Sequence, residues 1–547
     1  MKPAQQILIL ILLCVAVYAN SLLGGFVFDD DLIVNNPLFH SRGPLEFFSG
    51  GLFYQGDIKT GAGHIYRPLT LAIFRLTYAV FEARPFFFHL LPVFFHLATT
   101  LAVFFLFRRF FASGLAFALA VVFLIHPTNS EVVAYVSPLS EVLFVFFGMA
   151  AVLVAFGYEK YRSFRGFLIL CGLLFLSLLS KETGILFCFL VGAIHFLFKV
   201  KNQALLVAPA SAFLVYLFVR IFAAGIWGFQ KGVTPIADAT LFERLLSMPK
   251  VVFYYLSVFF FPVNLAGGQH WVVESLNFSD VVVPLVLVVL FFATVIVLWF
   301  RLKAEDKTVG PAASFFLVWI FLGFALHSQI IPLEYTVAQR WFYFTKIGLI
   351  GFLGAVFWVF AEYGLVKRFR NVLLVTFCLI ILAFSVRTYV RNFDFKDNLT
   401  LASRDLAGNP DSFELELIYG TEQLKLKNYE EARLHLSRSV DLNPYRLNVN
   451  NLATSYLGLG ETDQAVALFR KSAYEYGYYK SYENLASIYL LGGKLTESKA
   501  ILDDAIALYP NDPKLWYILS LYFEKVGQEK EAVEAKERYL LLKGEGE

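Results

Sequence analysis

Eleven stretches of this chain are apolar and long enough to cross roughly 30 Å of hydrocarbon. They lie at residues 4–23, 86–107, 111–126, 139–157, 164–180, 183–199, 204–224, 280–300, 312–332, 341–361 and 369–388. The 547 residues are 58% hydrophobic, well above the roughly 45–50% of a soluble domain, so the segments have no globular interior to share. The sequence specifies an integral membrane protein. Each crossing must satisfy its own backbone, which in hydrocarbon means a helix. Lys2 and the small residues near Val17-Tyr18-Ala19 also fit a cleaved signal peptide. An uncleaved first helix is the expectation, because the apolar run continues past that point and later spans need an initiating anchor.

A twelfth run, 248–262, is bracketed by Pro249 and Pro262 and decides the topology. With Lys2 inside, the connections Arg108-Arg109, Lys160/Arg162/Arg165 and Lys199/Lys201 all fall inside, as the positive-inside rule asks. If 248–262 does not cross, Arg301/Lys303/Lys307 and Lys367/Arg368/Arg370 fall inside as well. The run is therefore read as a re-entrant or surface helix, about eleven helices span, and everything after residue 388 lies outside.

Composition changes there. The last 150 or so residues carry mixed charge and repeat with a period of about 33 to 34 residues. Gly420, Ala453, Ala486 and Ser520 mark one helix of each unit, Ala432, Ala465, Ser498 and Ala532 the other. Gly460, Gly493 and Gly527 fall at the turn between them, and Pro444 and Pro510 close two units. The pattern is that of four tetratricopeptide repeats, a right place for small residues because paired helices must approach closely. The expected domains are a membrane domain over 1–390, a connecting half-repeat over 391–412 and a repeat domain over 413–547. Such an array either serves as a plain scaffold or docks a protein or peptide, and docking of an acceptor is the favoured reading. The run "YEYGYYKSY", Tyr474 to Tyr482, is read as packing between repeats.

Four cysteines, Cys14, Cys171, Cys188 and Cys378, sit within apolar segments without metal-ligand spacing, so neither a disulfide framework nor a zinc site is expected. The net charge of +3 is too small to argue for nucleic acid. Polar residues concentrate instead in the expected outer connections. "GGFVFDDDLIVNNP", Gly24 to Pro37, places Asp29, Asp30 and Asp31 just after the first span; "HIYRPLT", "HPTNSEVVAYVS", "LSKETG" and "VAQRWFYFTK" follow in other loops of the same face. Ionisable groups at such depth cost roughly 2.5 to 3.5 kcal/mol each on insertion scales, so they are kept where they pair or work. Lys181 and Glu182 at a tight hairpin suggest either an anion site or an internal salt bridge, weighed evenly. His89 and His96, seven residues apart, share a helix face and are read as core or headgroup contacts.

The order "FVFDD…NNP", "YRPLT", "FHLLPVFFHL", "HPTNSEVVAYVS", "LLSKE" and "AQRWFY", followed by repeats, resembles the transmembrane and tetratricopeptide-repeat protein O-mannosyltransferases of the GT-C glycosyltransferase class. The resemblance covers nearly the whole chain. It implies an all-α polytopic GT-C bundle followed by a TPR solenoid, and an inverting transfer of a monosaccharide from a polyprenyl-phosphate donor to a protein or peptide hydroxyl on the non-cytoplasmic face. Asp29 is then the expected base and Asp30 orients the acceptor or the base; Asp31 lies beyond the family's pair. Arg67, Lys181, Glu182, Arg220 and Arg340 are the candidate donor or phosphate contacts, and His126, Glu131 and Tyr66 the candidate sugar or acceptor contacts. A helix-end turn with a capping carboxylate explains His126 and Glu131 equally well.

Two departures stand out. Where the family commonly has a Gly-Arg pair and then an acid, this chain has "PLSE", Pro138 to Glu141; its Ala-Glu-Arg reads Ala338-Gln339-Arg340 here. A cation and a carboxylate are thus absent, which puts a mannose donor in doubt. Adjacent carboxylates can hold a divalent ion through oxygen, but no second cluster of hard ligands is evident, and metal-independent transfer is expected. Two other functions compete: a non-enzymatic membrane anchor for a TPR scaffold, and transfer to a lipid or surface glycan. Short loops and compact repeats favour a bacterial inner membrane with a periplasmic site over an endoplasmic reticulum membrane with lumenal repeats.

Overall fold

The computed structural model describes residues 2–34, 65–157, 163–200, 202–227, 234–305, 309–362 and 368–543. Asn35-Asn36-Pro37 and His64 of the quoted motifs lie outside these, as do the basic residues Lys160, Arg162, Lys201, Lys307 and Lys367. Every named element among the described residues is helical, with one isolated antiparallel bridge, Gln269 to Val337. The chain divides after Arg404 into two compact units.

Among the described residues of the first unit, eight helices are long and apolar enough to cross a membrane, or nine if a bent pair is one span. Two more of the expected spans are apolar but short, Phe164–Ser180 and Glu182–Leu197. At 1.5 Å per residue, 17 residues reach about 26 Å, so that helix fits only where hydrocarbon is thin or its ends are covered. The helices present apolar side chains outward: Leu12, Val15, Val289, Leu290 and Leu379 are all exposed, a surface that lipid rather than water would cover.

Some boundaries differ from the expected ones. The run at 248–262 belongs to a 20-residue helix, Leu241–Phe260, that starts seven residues earlier and carries Pro249 inside it. A capping box sets that start: Thr240 Oγ1 accepts from the Glu243 amide at 3.3 Å, and Glu243 accepts from the Thr240 amide at 2.7 Å. The helix is not among those apolar enough to span. The ninth expected span stops early, at Leu326, because Gln329 adopts a positive φ of 54° and its side-chain amide donates to the Tyr335 and Thr336 carbonyls, closing a loop instead. The first outer connection contains a helix not expected there, Pro68–Phe81, started by a proline at its first position.

The bent pair is the centre of the unit. The helix Ser113–Ile125 stops at His126-Pro127 and the chain turns by 51° into a short segment ending at Val133. A stopped helix strands its last carbonyls. Here three are taken up by side chains of other helices and of the turn itself. Asn129 donates to the Phe123 carbonyl at 2.6 Å, Tyr18 and His96 serve the Leu124 carbonyl at 2.9 and 3.0 Å, and Thr388 donates to the Ile125 carbonyl at 2.7 Å. Lys346, fully buried, in turn donates to the Asn129 side-chain oxygen.

Close packing elsewhere depends on small residues. A Cβ on Gly148 would lie 2.0 Å from the Phe187 ring, and one on Gly184 would lie 2.6 Å from the Ser177 backbone. Phe187 can therefore seat against the helix Leu139–Gly157, and the hairpin between Ser180 and Ile185 can close tightly.

The second unit is four helix pairs from Phe413–Lys425 to Glu529–Lys543. The small residues read from the repeat, Ala432, Ala453, Ala465, Ala486 and Ser498, are all fully buried between helices. Gly460, Gly493 and Gly527 take φ of 82°, 72° and 78° at the turns, while the first pair uses Lys427 at 61°. Tyr478 and Tyr482 are buried in packing between repeats, and the Tyr509 hydroxyl donates to the Gly477 carbonyl at 2.6 Å.

In the first pair the buried Glu416 accepts from His435 at 2.5 Å and faces Arg438 at 3.2 Å. The hydrogen bond to that carboxylate raises the His435 pKa above its ordinary value. A raised folded pKa means the contribution is complete below about pH 6.5, the unfolded value, and is lost as pH rises through the folded value. Hydrogen-exchange protection factors at Leu436 and Val440 in the full chain should therefore fall as pH climbs through that window. In H435Q they should be low and flat, and a flat profile in the wild type would contradict the assignment.

Candidate active site

The triplet after the first span sits on a sharp turn. Phe28 takes a positive φ of 49°, unusual for a bulky side chain, and is held there from two distant places. Its amide donates to Asn398 Oδ1 at 2.8 Å, and its ring lies 5.7 Å from that of Tyr135. The Asp29 amide donates to the Tyr135 hydroxyl at 3.2 Å. The first carboxylate of the triplet is thereby presented half-buried at the turn, while Asp31 is exposed.

Asp30 differs from both. It is fully buried, and its two oxygens accept from the Ser137 amide at 2.7 Å and the Val27 amide at 3.1 Å. Burial pushes its carboxyl well above the usual carboxylate range, against the pull of those amides. Asp30, the second carboxylate of the candidate pair, ties the turn to the loop after Val133 through both of its oxygens.

The candidate cations are all engaged. Arg67 grips Glu182 with two nitrogens, Nη2 to Oε1 at 3.1 Å and Nε to Oε2 at 3.4 Å, and Nη1 donates to Ser140 Oγ at 3.2 Å. Lys181 pairs with Glu141 and Glu182 with Arg67, so each charge of the hairpin sits in an internal salt bridge with a partner remote in sequence. Arg340 pairs with Glu131, which also accepts from the Arg340 amide at 3.0 Å, and its guanidinium lies 4.7 Å over the Tyr335 ring. Arg220, in a π-helical turn, donates to the Tyr216 hydroxyl at 3.1 Å. The Tyr216 ring is 6.2 Å from that of Tyr66, whose own hydroxyl is buried with no hydrogen-bond partner among the described residues.

These groups form one electrostatic neighbourhood. Tyr135 lies in the field of Asp29, Asp30 and Arg340; Arg340 in that of Glu141; and Lys181 in that of Arg67 and Glu182. Two departures noted in the sequence acquire partners here. Arg340 has a carboxylate although Gln339 precedes it, and Glu141 of "PLSE" has its cation in Lys181.

His126 is removed from the surface. It stacks on Phe259 with ring centroids 5.4 Å apart, one nitrogen meets the Phe259 carbonyl at 3.0 Å, and the other meets Thr128 Oγ1 at 2.9 Å. Both nitrogens serve the turn, and Glu131 serves Arg340, the helix-end arrangement that the sequence equally allows. His89 meets the Gly25 carbonyl at 3.0 Å, and His96 meets the Tyr343 hydroxyl at 2.8 Å, both as core contacts. Among the described residues no group of three His, Cys, Asp or Glu side chains is arranged to hold a metal ion.

Comparison with known proteins follows this geometry. A protein O-mannosyl-transferase from Caenorhabditis elegans is 25% identical over 426 residues, covering 76% of this chain and 59% of the relative. The chain is similar to a protein O-mannosyl-transferase. It spans 59% of that relative's length. The tetratricopeptide repeat family matches residues 479–512, one of the helix pairs of the second unit. Two solved structures show weaker likeness. ArnT from Cupriavidus metallidurans bound to undecaprenyl phosphate is 13% identical, covers 90% of this chain and 81% of its own, and has a TM-score of 0.39. MamA is 18% identical, covers 26% of this chain and 85% of its own, with a TM-score of 0.24. At these scores no side-chain position is carried over from either.

Glu141, Tyr135, Ser140 and Asn129 were not read as site residues from the sequence. Glu141 had a usable signal: it begins one span and Lys181 ends the next, so a helical hairpin brings them to the same end. The Asn129 role has a direct test. Asn129→Leu leaves the Lys346 ammonium and the Phe123 carbonyl buried without partners, which costs about 3 kcal/mol or more. The detergent-solubilised variant should unfold at a clearly lower temperature than wild type, whereas Asn129→Asp, which keeps an oxygen for Lys346, should lose less.

Proposed function

We propose that the chain is a membrane glycosyltransferase of the GT-C class, transferring a monosaccharide from a polyprenyl-phosphate donor to a protein or peptide hydroxyl. The observation that carries this reading is the placement of Asp29 on a pinned turn within the same charged neighbourhood as Arg67, Lys181 and Arg340. The similarity to a protein O-mannosyl-transferase supports it.

The chemistry divides between the two kinds of group. Asp29 takes the proton of the acceptor hydroxyl as that oxygen attacks the anomeric carbon. The bond from that carbon to the phosphate oxygen breaks, and the polyprenyl phosphate leaves with the electron pair. Cations that meet the departing phosphate stabilise the charge it develops and so lower the barrier. Arginine suits this through its planar fork, which holds two phosphate oxygens at once. Attack opposite the leaving phosphate inverts the anomeric centre. The repeats dock the acceptor, and both act on the non-cytoplasmic face of the membrane. No metal is assigned a role.

Removing a general base typically costs about 10²- to 10⁴-fold in rate. Asp29→Asn should reduce transfer by about that factor in a reconstituted assay, with the transferred mass on a co-expressed acceptor read by mass spectrometry. Transfer at the wild-type rate would remove Asp29 from the role of base.

A further inference from the structure

Three ion pairs line the candidate site, and they are not equally closed. Lys181 and Glu141 are 7% and 5% exposed, whereas Arg67 and Glu182 are 18% and 31% exposed. Arg340 and Glu131 are intermediate, at 18% and 10%, and their pair is reinforced by the backbone amide of Arg340. Of the three carboxylates, Glu182 is the most exposed.

The Arg67–Glu182 contact has the form of an anion complex. Two guanidinium nitrogens meet two carboxylate oxygens, the same fork that would meet two oxygens of a phosphate. The third nitrogen is held separately by Ser140, so the guanidinium stays oriented when its fork is vacated. Glu182 is the more exposed partner of the pair. It stands at the start of the short helix Glu182–Gly184 that leads into Ile185–Leu197. The preceding residue of Arg67, Tyr66, carries a buried hydroxyl without a partner among the described residues, a donor that an arriving acceptor oxygen would satisfy.

We propose that Glu182 is a resident stand-in for the phosphate of the lipid donor: it occupies the Arg67 fork while the site is empty and is displaced when a polyprenyl phosphate binds. The inference rests on the donor reading given above. Glu182 thereby sets donor affinity by competition. It keeps a cation ready at the edge of an apolar medium, at the expense of tighter binding. Glu141, closed over Lys181, is not displaced and serves position alone.

Binding of undecaprenyl phosphate to the full-length protein in detergent tests this, with undecaprenol as the uncharged reference. Exposed ion pairs contribute modestly, so E182Q should bind undecaprenyl phosphate up to about fivefold more tightly than wild type, with undecaprenol binding unchanged. R67A should lose most phosphate-dependent binding, and E182A should match E182Q, which separates charge from side-chain shape. Wild-type binding of undecaprenyl phosphate together with equal or weaker binding by both Glu182 variants would overturn the stand-in role and leave the donor reading intact. Absence of undecaprenyl phosphate binding by wild type and both variants would overturn the donor reading and the stand-in role together.

Discussion

A carbonyl stranded in an apolar interior must find a donor or cost several kcal/mol, and the break after Ile125 strands three. Their donors come from widely separated parts of the chain: Tyr18 in the first helix, His96 in the second, Asn129 in the turn and Thr388 in the last long apolar helix. Those helices are therefore gathered around one point by polar contacts whose loss leaves a group unsatisfied. Apolar packing is tolerant of small shifts, whereas these contacts fix direction. The turn they hold continues into Glu131, Tyr135 and Ser137, which in turn hold Arg340, Asp29 and Asp30. The geometry of the candidate site thus descends from a broken helix.

The charges add a second layer. Ionised side chains at the edge of hydrocarbon are kept by pairing, and each candidate cation for the donor has an internal partner. A site built this way pairs most of its own charge internally. Under the proposed function, an anionic lipid that takes the Arg67 fork exchanges one partner for another, and the selectivity of the guanidinium for a forked anion is retained.

Much of this was legible beforehand. The repeat period located the small residues and the turn glycines because helix pairing has a steric requirement that recurs every unit, and all three glycines take the left-handed conformation. The apolar runs located the membrane helices, since length and composition suffice there. Partners remote in sequence were not legible. Asp29 and Asp30 look alike in "FDDD", and what separates them is a pair of backbone amides, one of them 107 residues away at Ser137. Pro249 was read as a bracket because proline ends many helices, although a capping box at Thr240 and Glu243 announced an earlier start. The pairing of Lys181 across to Glu141, in preference to adjacent Glu182, follows from the fold of a hairpin and not from spacing.

The turn that presents Asp29 also joins the two ends of the first unit. Residues 17, 20 and 28 are hydrogen-bonded to residues 392, 389 and 398, at 3.0, 2.8 and 2.8 Å. The helix Pro3–Tyr18 leaves the ribosome before the rest of this unit, yet the contact that fixes Phe28 exists only once Asn398 has been made and the helix before it is in place. That turn is consequently among the last parts of this unit to acquire its shape during synthesis. A chain interrupted anywhere before that point carries the carboxylates without the geometry, so assembly itself withholds the site until the bundle is whole.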